Sequence, residues 1–288
     1  MRLVTFRTNG GGRLGVVTEG DEVVEVDQPR DMLALIEAGW DGLARVRSAL
    51  GSPHSRKHRL ADLELLAPLP EPRGNVIAIG RNYAAHAQET AGKSAPEPPT
   101  VFTKAITSLT EPFADIAIDP AISDKIDWEV ELGVVVGRRG VNIKRGDARA
   151  HVFGYMALND VSARDIQSGW GGQYFKGKSL DRSSPTGPWI VTADEIGDPQ
   201  NLQLRLRVSG VLKQDGNTRD MIYPVDALVE WVSRGMTLLP GAIIATGTPD
   251  GVGFARTPPE FLKPGDVMET EVEGIGTMRN RIVAAGRD

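Results

Sequence analysis

Short apolar runs separated by glycine- and proline-bearing turns extend through most of this 288-residue chain, which contains 33 glycines and 19 prolines. Runs of this kind, bounded by turn residues, are typical of β-strands. Beyond residue 75 the best examples are residues 76–79, 128–136, 189–191, 202–208, 242–245 and 267–272. Few segments have helical spacing, so the sequence predicts an α+β fold that is mostly β and not a series of alternating βαβ units.

The first 66 residues read as a small accessory α/β domain. Strand-like runs at residues 3–7, 14–18 and 22–26 precede a segment with helical spacing at residues 32–50. The proline-rich residues 67–74 are hostile to helix and predict a stiff connector. Residues 75–288 then form the predicted catalytic domain, with helices at residues 83–90, where Asn82 is the expected N-cap, and at residues 227–233.

Charge and composition exclude several classes of protein. The formal net charge is −5 and no polybasic stripe is present, which argues against nucleic acid as a partner. The absence of cysteine excludes disulfides and thiolate chemistry. No signal-peptide core is visible and no eighteen apolar residues run together, so we expect no membrane span and a cytoplasmic location.

The run DWEVELG at residues 127–133 is the most informative segment. Because side chains alternate along a strand, Asp127, Glu129 and Glu131 share one face and repel each other unless a cation lies among them. Carboxylates are the ligands that suit Mg²⁺ or Mn²⁺. The alternative is an amphipathic strand that shows its acids to water, and two carboxylates alone are a weak signal.

Two glycine-rich patterns are misleading. Residues 172–179 match the phosphate-loop pattern G-x-x-x-x-G-K-[ST] letter for letter. That loop requires a buried strand before it and a helix after it, whereas the flanking residues here are rich in Gly, Ser and Pro. Residues 10–15 fit GxGxxG but lie between two short strands, so we interpret them as a turn.

Several sequence blocks together resemble the fumarylacetoacetate hydrolase family. They are GRNYAAHAQE at residues 80–89, the acidic strand, NDVSARDIQ at 159–167, GKS at 177–179 and TGTPDGVG at 246–253. They occur in the family's order and cover roughly residues 75–285. The first 66 residues resemble the smaller leading domain of many bacterial members.

This resemblance implies a β-roll catalytic domain, a homodimer, and a Mg²⁺ or Mn²⁺ ion bound by Glu129, Glu131 and Asp160. It also implies that Lys178 lies beside the metal, where burial is expected to lower its pKa. The expected catalytic residues are His86, Glu89 and Lys178. The expected substrate-binding residues are Arg81, Tyr83, Arg164, Gln167, Gly247 and Thr248, with Arg164 suited to bidentate capture of a carboxylate.

His86 and Glu89 are three residues apart on a predicted helix, so their side chains can meet. A neutral imidazole oriented by a carboxylate can take a proton from water, and the family uses such a pair to activate water. A solvent-facing helical pair is the alternative. Residues 90–99 follow as a Gly-, Ser- and Pro-containing loop, which is either a lid over the site or a passive surface loop.

These residues predict the type of intermediate better than the reaction. We expect a metal-dependent C–C hydrolase that cleaves an acylpyruvate- or fumarylacetoacetate-like oxo acid through a stabilised enolate. The alternative on the same scaffold is a decarboxylase or isomerase of a β-oxo or hydroxy-dienoic dicarboxylic acid, of the oxaloacetate or aromatic-catabolism type. A non-catalytic metal or nucleotide binder is the third hypothesis, and the intact His86–Glu89 pair argues against it.

Overall fold

The computed structural model describes residues 1–91 and 98–286. Residues 92–97, in the predicted lid, lie outside the described part. The strands are β1 (Arg2–Thr8), β2 (Gly11–Val17), β3 (Glu22–Val26), β4 (Lys57–Arg59), β5 (Val76–Gly80), β6 (Thr100–Lys104), β7 (Leu109–Thr110), β8 (Ile116–Ile118), β9 (Ile126–Asp127), β10 (Val130–Val136), β11 (Val152–Asn159), β12 (Ser162–Ala163), β13 (Ser184–Thr192), β14 (Gln203–Val208), β15 (Val211–Asn217), β16 (Ile243–Ala245), β17 (Val267–Val272) and β18 (Gly276–Ala284). The helices are α1 (Met32–Leu50), α2 (Ala84–Ala91), α3 (Arg164–Gly169), α4 (Ala193–Ile196) and α5 (Val225–Ser233).

Two large sheets organise these elements. Within the described residues, the larger sheet has eleven strands in the order β4-β3-β2-β1-β13-β11-β10-β16-β5-β6, with β7 paired to β13. A five-stranded sheet has the order β15-β14-β17-β18-β8. Strand β10 lies in the middle of the larger sheet and is buried along its whole length. The predicted α+β, mostly β fold class is confirmed.

The main hydrophobic core lies between the two sheets. It joins apolar side chains of β10 and β11 to those of β14, β17 and β18, and helix α5 adds a further apolar face. A second core lies on the opposite face of the larger sheet, where α1 packs against β1, β2, β10 and β11. Strand β10 therefore contributes to both cores, which fixes the position of the acidic residues at its beginning.

The N-terminal strands continue the catalytic sheet. Strand β1 pairs antiparallel with β13, with Arg2 opposite Val191 and Leu3 opposite Ile190. The connector is not a free linker either, because Leu69 is buried in the second core and Pro68 accepts a hydrogen bond from Thr5 Oγ1 at 2.7 Å. The division at residues 67–74 stays a prediction, but residues 1–66 share both sheet and core with the rest.

Two details of the helices differ from the sequence-based expectation. Helix α1 has the predicted bounds but is kinked at Gly39, whose φ of 55° is outside the helical region. Helix α2 begins at Ala84, and Asn82 does not cap it. The Asn82 side chain instead donates to Tyr223 O and Thr246 O and accepts from Tyr223 N, because it is buried between two loops.

Among the described residues, no helix has the length and apolarity that a membrane span requires.

Gly154 provides a test of the sheet arrangement. A Cβ atom there would lie 2.3 Å from the carbonyl oxygen of Val191 in the paired strand β13. We expect Gly154→Ala to lower the free energy of unfolding by about 2 kcal/mol, since the strands must separate locally to admit the methyl group. Urea denaturation measures this loss. Gly146→Ala, where a Cβ meets nothing within 4 Å, is the matched control, and equal effects of the two changes would contradict the packing.

Candidate metal centre and active site

Three carboxylates converge at the start of the central strand pair. Glu129 immediately precedes β10, Glu131 lies within it, and Asp160 follows β11. Antiparallel pairing puts Asp160 beside Glu129, because Val130 is opposite Asn159 and Asp160 N donates to Glu129 O at 2.9 Å. Their ligand oxygens all lie within 4.8 Å of one another, and all three residues are buried. An amphipathic strand that shows its acids to water is therefore excluded.

The acidic strand is less regular than its sequence suggests. The predicted strand at residues 128–136 begins only at Val130, and a separate short strand, β9, ends at Asp127. Side chains replace the missing backbone partners: Asn159 Oδ1 accepts from Glu129 N, and Gln214 Oε1 accepts from Val130 N, each at 3.0 Å. Asp127, at the end of β9, is not among the three carboxylates that converge, and it binds the same Arg164 guanidinium that lies 2.7 Å from Glu129 Oε1.

Cations surround two of the three carboxylates. The Lys178 ammonium donates to Glu129 Oε2 at 2.7 Å and to Asp160 Oδ2 at 2.8 Å. Lys104, fully buried, lies 2.6 Å from Asp160 Oδ1, close enough for an ion pair but not aligned as a hydrogen bond, and it donates to Lys178 O. Burial alone would raise the pKa of Glu129, but the charges of Lys178, Arg164 and His86 lower it to about 2.

The pKa of Lys178 is shifted by two opposing effects. Burial does act to lower its pKa, but the negative charges of Asp160 and Glu129 outweigh that effect and the pKa is raised. Burial therefore acts in the predicted direction on Lys178, but the net shift of its pKa is upward. Lys104 shows the predicted behaviour instead, because burial dominates there and its pKa is lowered.

Glu131 is the carboxylate without a cationic partner. Among the residues that the structure describes, its hydrogen bond comes from Gly247 N at 2.8 Å and no ion pair reaches it. Burial and the charges of Asp160 and Glu129 raise its pKa well above the usual range. A buried cluster of oxygen donors with an uncompensated charge fits a hard divalent cation, so Glu129, Glu131 and Asp160 can hold such an ion, and its identity as Mg²⁺ or Mn²⁺ stays a prediction.

The His86–Glu89 pair forms on α2 as its spacing predicts. His86 Nδ1 lies 2.9 Å from Glu89 Oε1. Both Glu89 oxygens also accept from Gly251 N at 3.1 Å, so the helix is tied to the turn of residues 246–253. Neither a hydrogen bond nor an ion pair within the described residues uses His86 Nε2, although the ring is buried and lines a cavity.

That cavity adjoins the carboxylate cluster and has a volume of about 210 Å³. Glu129 is part of its wall, together with these predicted site residues: Arg81, His86, Arg164, Gln167, Lys178 and Thr248. Four apolar or aromatic side chains, Ile79, Phe102, Tyr174 and Phe254, complete most of the remainder. Tyr83, Glu89, Gly247, Glu131 and Asp160 are not in this wall, and a substrate contact by Tyr83 or Gly247 stays a prediction.

Thr248 and Arg164 are already engaged by the protein. The Thr248 hydroxyl donates to Val130 O and accepts from Gln214 Nε2, each at 2.8 Å. The Arg164 guanidinium donates to Asp127 Oδ2 at 2.8 Å and to Gln167 Oε1 at 3.0 Å. Its third nitrogen lies 2.7 Å from Glu129 Oε1 as an ion pair, without hydrogen-bond alignment. The fork that was expected to capture a carboxylate is therefore already occupied.

The phosphate-loop pattern at residues 172–179 forms no phosphate loop. The segment is a series of turns between α3 and β13, and Lys178 N donates to Tyr174 O at 3.1 Å. A Cβ at Gly177 would lie 2.5 Å from Gln167 N, so this glycine permits the close approach of the segment to α3. The turns place Lys178 beside the carboxylates, and no helix N-terminus faces a phosphate there.

Comparison with known proteins places this geometry in a family. Residues 75–283 match the family model described as "Fumarylacetoacetate (FAA) hydrolase C-terminal". The chain belongs to the fumarylacetoacetate hydrolase family. The resemblance predicted from the sequence is thereby confirmed, and the chain is an enzyme of that family.

Its relatives carry more than one activity name. Oxaloacetate tautomerase YisK from Bacillus subtilis is 43% identical over 282 residues, which cover 98% of this chain and 89% of that protein. The mitochondrial oxaloacetate tautomerase FAHD2B from Bos taurus is 41% identical over 98% of this chain and 92% of its own. The structure of fumarylacetoacetate hydrolase from Exiguobacterium antarcticum superposes with a TM-score of 0.84 at 37% identity, covering 99% of this chain and all of that one.

Two residues that sequence reasoning did not assign to the site stand out. Lys104 is brought to Asp160 from β6, and no pattern around it in the sequence predicts this. Asp127 was visible only as a third acid in the strand. It accepts from Gly253 N at 2.7 Å, Phe254 N at 3.1 Å and Arg164 Nε at 2.8 Å, and the Phe254 ring lies 4.3 Å from the Arg164 guanidinium.

Metal binding should be visible as thermal stabilisation. We expect Mg²⁺ or Mn²⁺ to stabilise the enzyme by about 2.7 kcal/mol at a free concentration 100 times Kd, and Glu131→Gln to abolish this shift. The pKa of Glu131 is raised, so its charge costs stability at neutral pH, and metal-free Glu131→Gln should be at least as stable as the unmodified chain. Differential scanning calorimetry measures both effects. A full metal shift in Glu131→Gln, or its loss in the exposed control Glu19→Gln, would contradict the proposed ligand set.

Asp127 can be tested as a positioning residue. Asp127→Asn replaces one accepting oxygen with an amide that faces backbone N–H groups and Arg164. Breaking a buried ion pair in this way should cost about 3 kcal/mol of folding free energy and raise KM more than it lowers kcat, because Arg164 loses its orientation. Asp124→Asn, an exposed acid on the same segment, is the control. Unchanged melting and kinetics in Asp127→Asn would show that the carboxylate is dispensable.

Proposed function

We propose that the enzyme is a divalent-metal-dependent tautomerase that interconverts the keto and enol forms of a 2-oxo dicarboxylic acid of the oxaloacetate type. The observation that carries the proposal is the pair of relatives named oxaloacetate tautomerase, which are 41–43% identical over 98% of the chain. These names favour the alternative, isomerase-type reaction over the C–C hydrolysis that the sequence first led us to expect. A homodimer and a cytoplasmic location remain predictions that accompany this proposal.

The reaction needs a base and a group that stabilises negative charge, and candidates for both lie at the cavity. A proton must move between C-3 and a base, and the negative charge of the enolate must be stabilised meanwhile. A bound divalent cation would supply Lewis-acid stabilisation of that charge. The Lys178 ammonium, held between Glu129 and Asp160, adds a fixed positive charge at the cavity wall. No attacking water is required, which separates this reaction from hydrolysis.

His86 is the best candidate for the base. Its Nδ1 is held by Glu89 at 2.9 Å, so the ring is fixed and the imidazolium that forms on proton uptake is stabilised by a carboxylate. The other ring nitrogen is the one that no described residue engages. Glu89 is itself held by Gly251 N and keeps the ring oriented throughout the cycle.

We expect His86→Ala to reduce kcat for tautomerisation by about 10²–10⁴, the usual contribution of general acid–base catalysis. The decay of enol oxaloacetate followed by ultraviolet absorbance, and exchange at C-3 in D₂O followed by NMR, measure the same proton transfer. The metal-induced rise in melting temperature should persist, since His86 is not a proposed ligand. His54→Ala changes an exposed histidine that is not in the cavity wall, and it is the matched control.

The same pair supports hydrolysis as a second candidate, since a histidine oriented by a glutamate can also deliver water to a carbonyl. Assaying acylpyruvates for acid products and oxaloacetate for C-3 exchange on one preparation decides between the two. Rapid cleavage of an acylpyruvate with slow exchange of oxaloacetate would show that hydrolysis is the main reaction. Rapid exchange with no cleavage supports the tautomerase, and loss of neither activity in His86→Ala would refute the proposed base.

A further inference from the structure

The turn of residues 246–253 meets the His86–Glu89 pair at Gly251. Both carboxylate oxygens of Glu89 accept from Gly251 N at 3.1 Å, and Glu89 Oε1 lies 2.9 Å from His86 Nδ1. The direction of the carboxylate, and with it the plane of the imidazole ring, therefore depends on where the turn holds Gly251. Since a misplacement of about 1 Å can reduce a rate about 100-fold, the anchoring of Gly251 matters for proton transfer.

Gly251 approaches the backbone of strand β15 too closely to carry a side chain. Its φ is 97°, and a Cβ there would lie 2.2 Å from the carbonyl oxygen of Lys213. One nitrogen of Arg256, Nη2, donates to Lys213 O at 2.6 Å and to Gly251 O at 3.3 Å. Carbonyl oxygens that converge on one point repel each other, and a charged donor between them forms stronger hydrogen bonds than a neutral group does. Arg256 thus ties the turn to β15 at this contact.

The two halves of the turn have different anchors. Gln214 Nε2 donates to Thr248 Oγ1 and Pro249 O, each at 2.8 Å, and so holds the half beside the carboxylate cluster. Arg256 holds Gly251, in the half beside the base. Arg256 is half-buried and is not part of the described cavity wall, so any effect on the reaction must pass through the residues that it holds.

We propose that Arg256 is a positioning residue for proton transfer: it fixes Gly251 against β15, and Gly251 in turn fixes Glu89 and the ring of His86. This inference rests on the proposed function for the role of His86 as the base. The proton still passes between C-3 of the substrate and the imidazole, and Arg256 takes no part in that exchange. Its loss should therefore appear in kcat and not in the binding of substrate or metal.

We expect Arg256→Met to reduce kcat for exchange at C-3 of oxaloacetate in D₂O roughly 10-fold, with little change in KM. The metal-induced rise in melting temperature should persist, because Gln214 still holds the other half of the turn. Arg256→Lys should recover part of the loss, since an ammonium keeps the charge but not the planar fork. Arg205→Met removes an exposed arginine from β14, in the same sheet as β15, and is the matched control.

A double-mutant cycle separates positioning from a general structural role. If Arg256 acts through Glu89, Arg256→Met should cost little further activity in an enzyme that already carries Glu89→Gln, because the orientation that it protects is already lost. A general structural role would instead multiply the two losses. Fully multiplicative losses, or a rise in KM without a fall in kcat, would overturn the proposal.

The same link can be measured without substrate. The chain has four histidines, so ¹⁵N-labelled histidine gives few ring signals, and His86→Ala identifies those of His86. Their shifts report which ring nitrogen carries the proton, and we expect one tautomer in the unmodified enzyme and in Arg205→Met but a mixture in Arg256→Met. Identical His86 signals in Arg256→Met and the unmodified enzyme would contradict the positioning role. If the signals change as expected while the unmodified enzyme does not exchange oxaloacetate, the proposed function fails and the positioning role stands.

Discussion

Burial of several like charges at one point is the constraint to which the rest of the molecule is adapted. Carboxylates removed from water and placed within 4.8 Å of one another repel strongly unless cations compensate them. The protein supplies Lys178, Lys104 and Arg164 from three different segments, and among the described residues Glu131 has no cationic partner. The sheets, the turns between α3 and β13, and β6 must therefore all be in place before the centre is stable, which makes the site a product of the whole fold.

The turn of residues 246–253 contacts both the carboxylate cluster and the His86–Glu89 pair. Its Gly247 N–H donates to Glu131 in the carboxylate cluster, and its Gly251 N–H donates to Glu89 in the pair with His86. Gln214, from the five-stranded sheet, fixes the same turn through Thr248 Oγ1 and Pro249 O and also binds the start of β10. This one turn thus joins the carboxylate cluster to the His86–Glu89 pair, and the five-stranded sheet holds the turn in place.

The sequence predicts the local parts of this arrangement well and the long-range parts poorly. Strands β3 and β17 and helix α1 have the predicted bounds because periodicity and turn residues determine them within a short window. The carboxylate cluster follows from alternation along β10 together with a family pattern. Lys104 and Asp127 could not be assigned, because their roles depend on contacts with residues 56 and 37 positions away, which no local pattern encodes.

The pairing of β1 with β13 has a consequence for the relation between the two parts of the chain. If residues 1–66 were absent, the part of β13 around Ile190 and Val191 would present unpaired backbone donors and acceptors beside β11, the strand that precedes Asp160, and bare edges of this kind recruit foreign strands. The leading segment thus works as a permanent cover for the catalytic sheet. A shortened descendant of this protein would have to acquire another strand, or another copy of itself, at that edge.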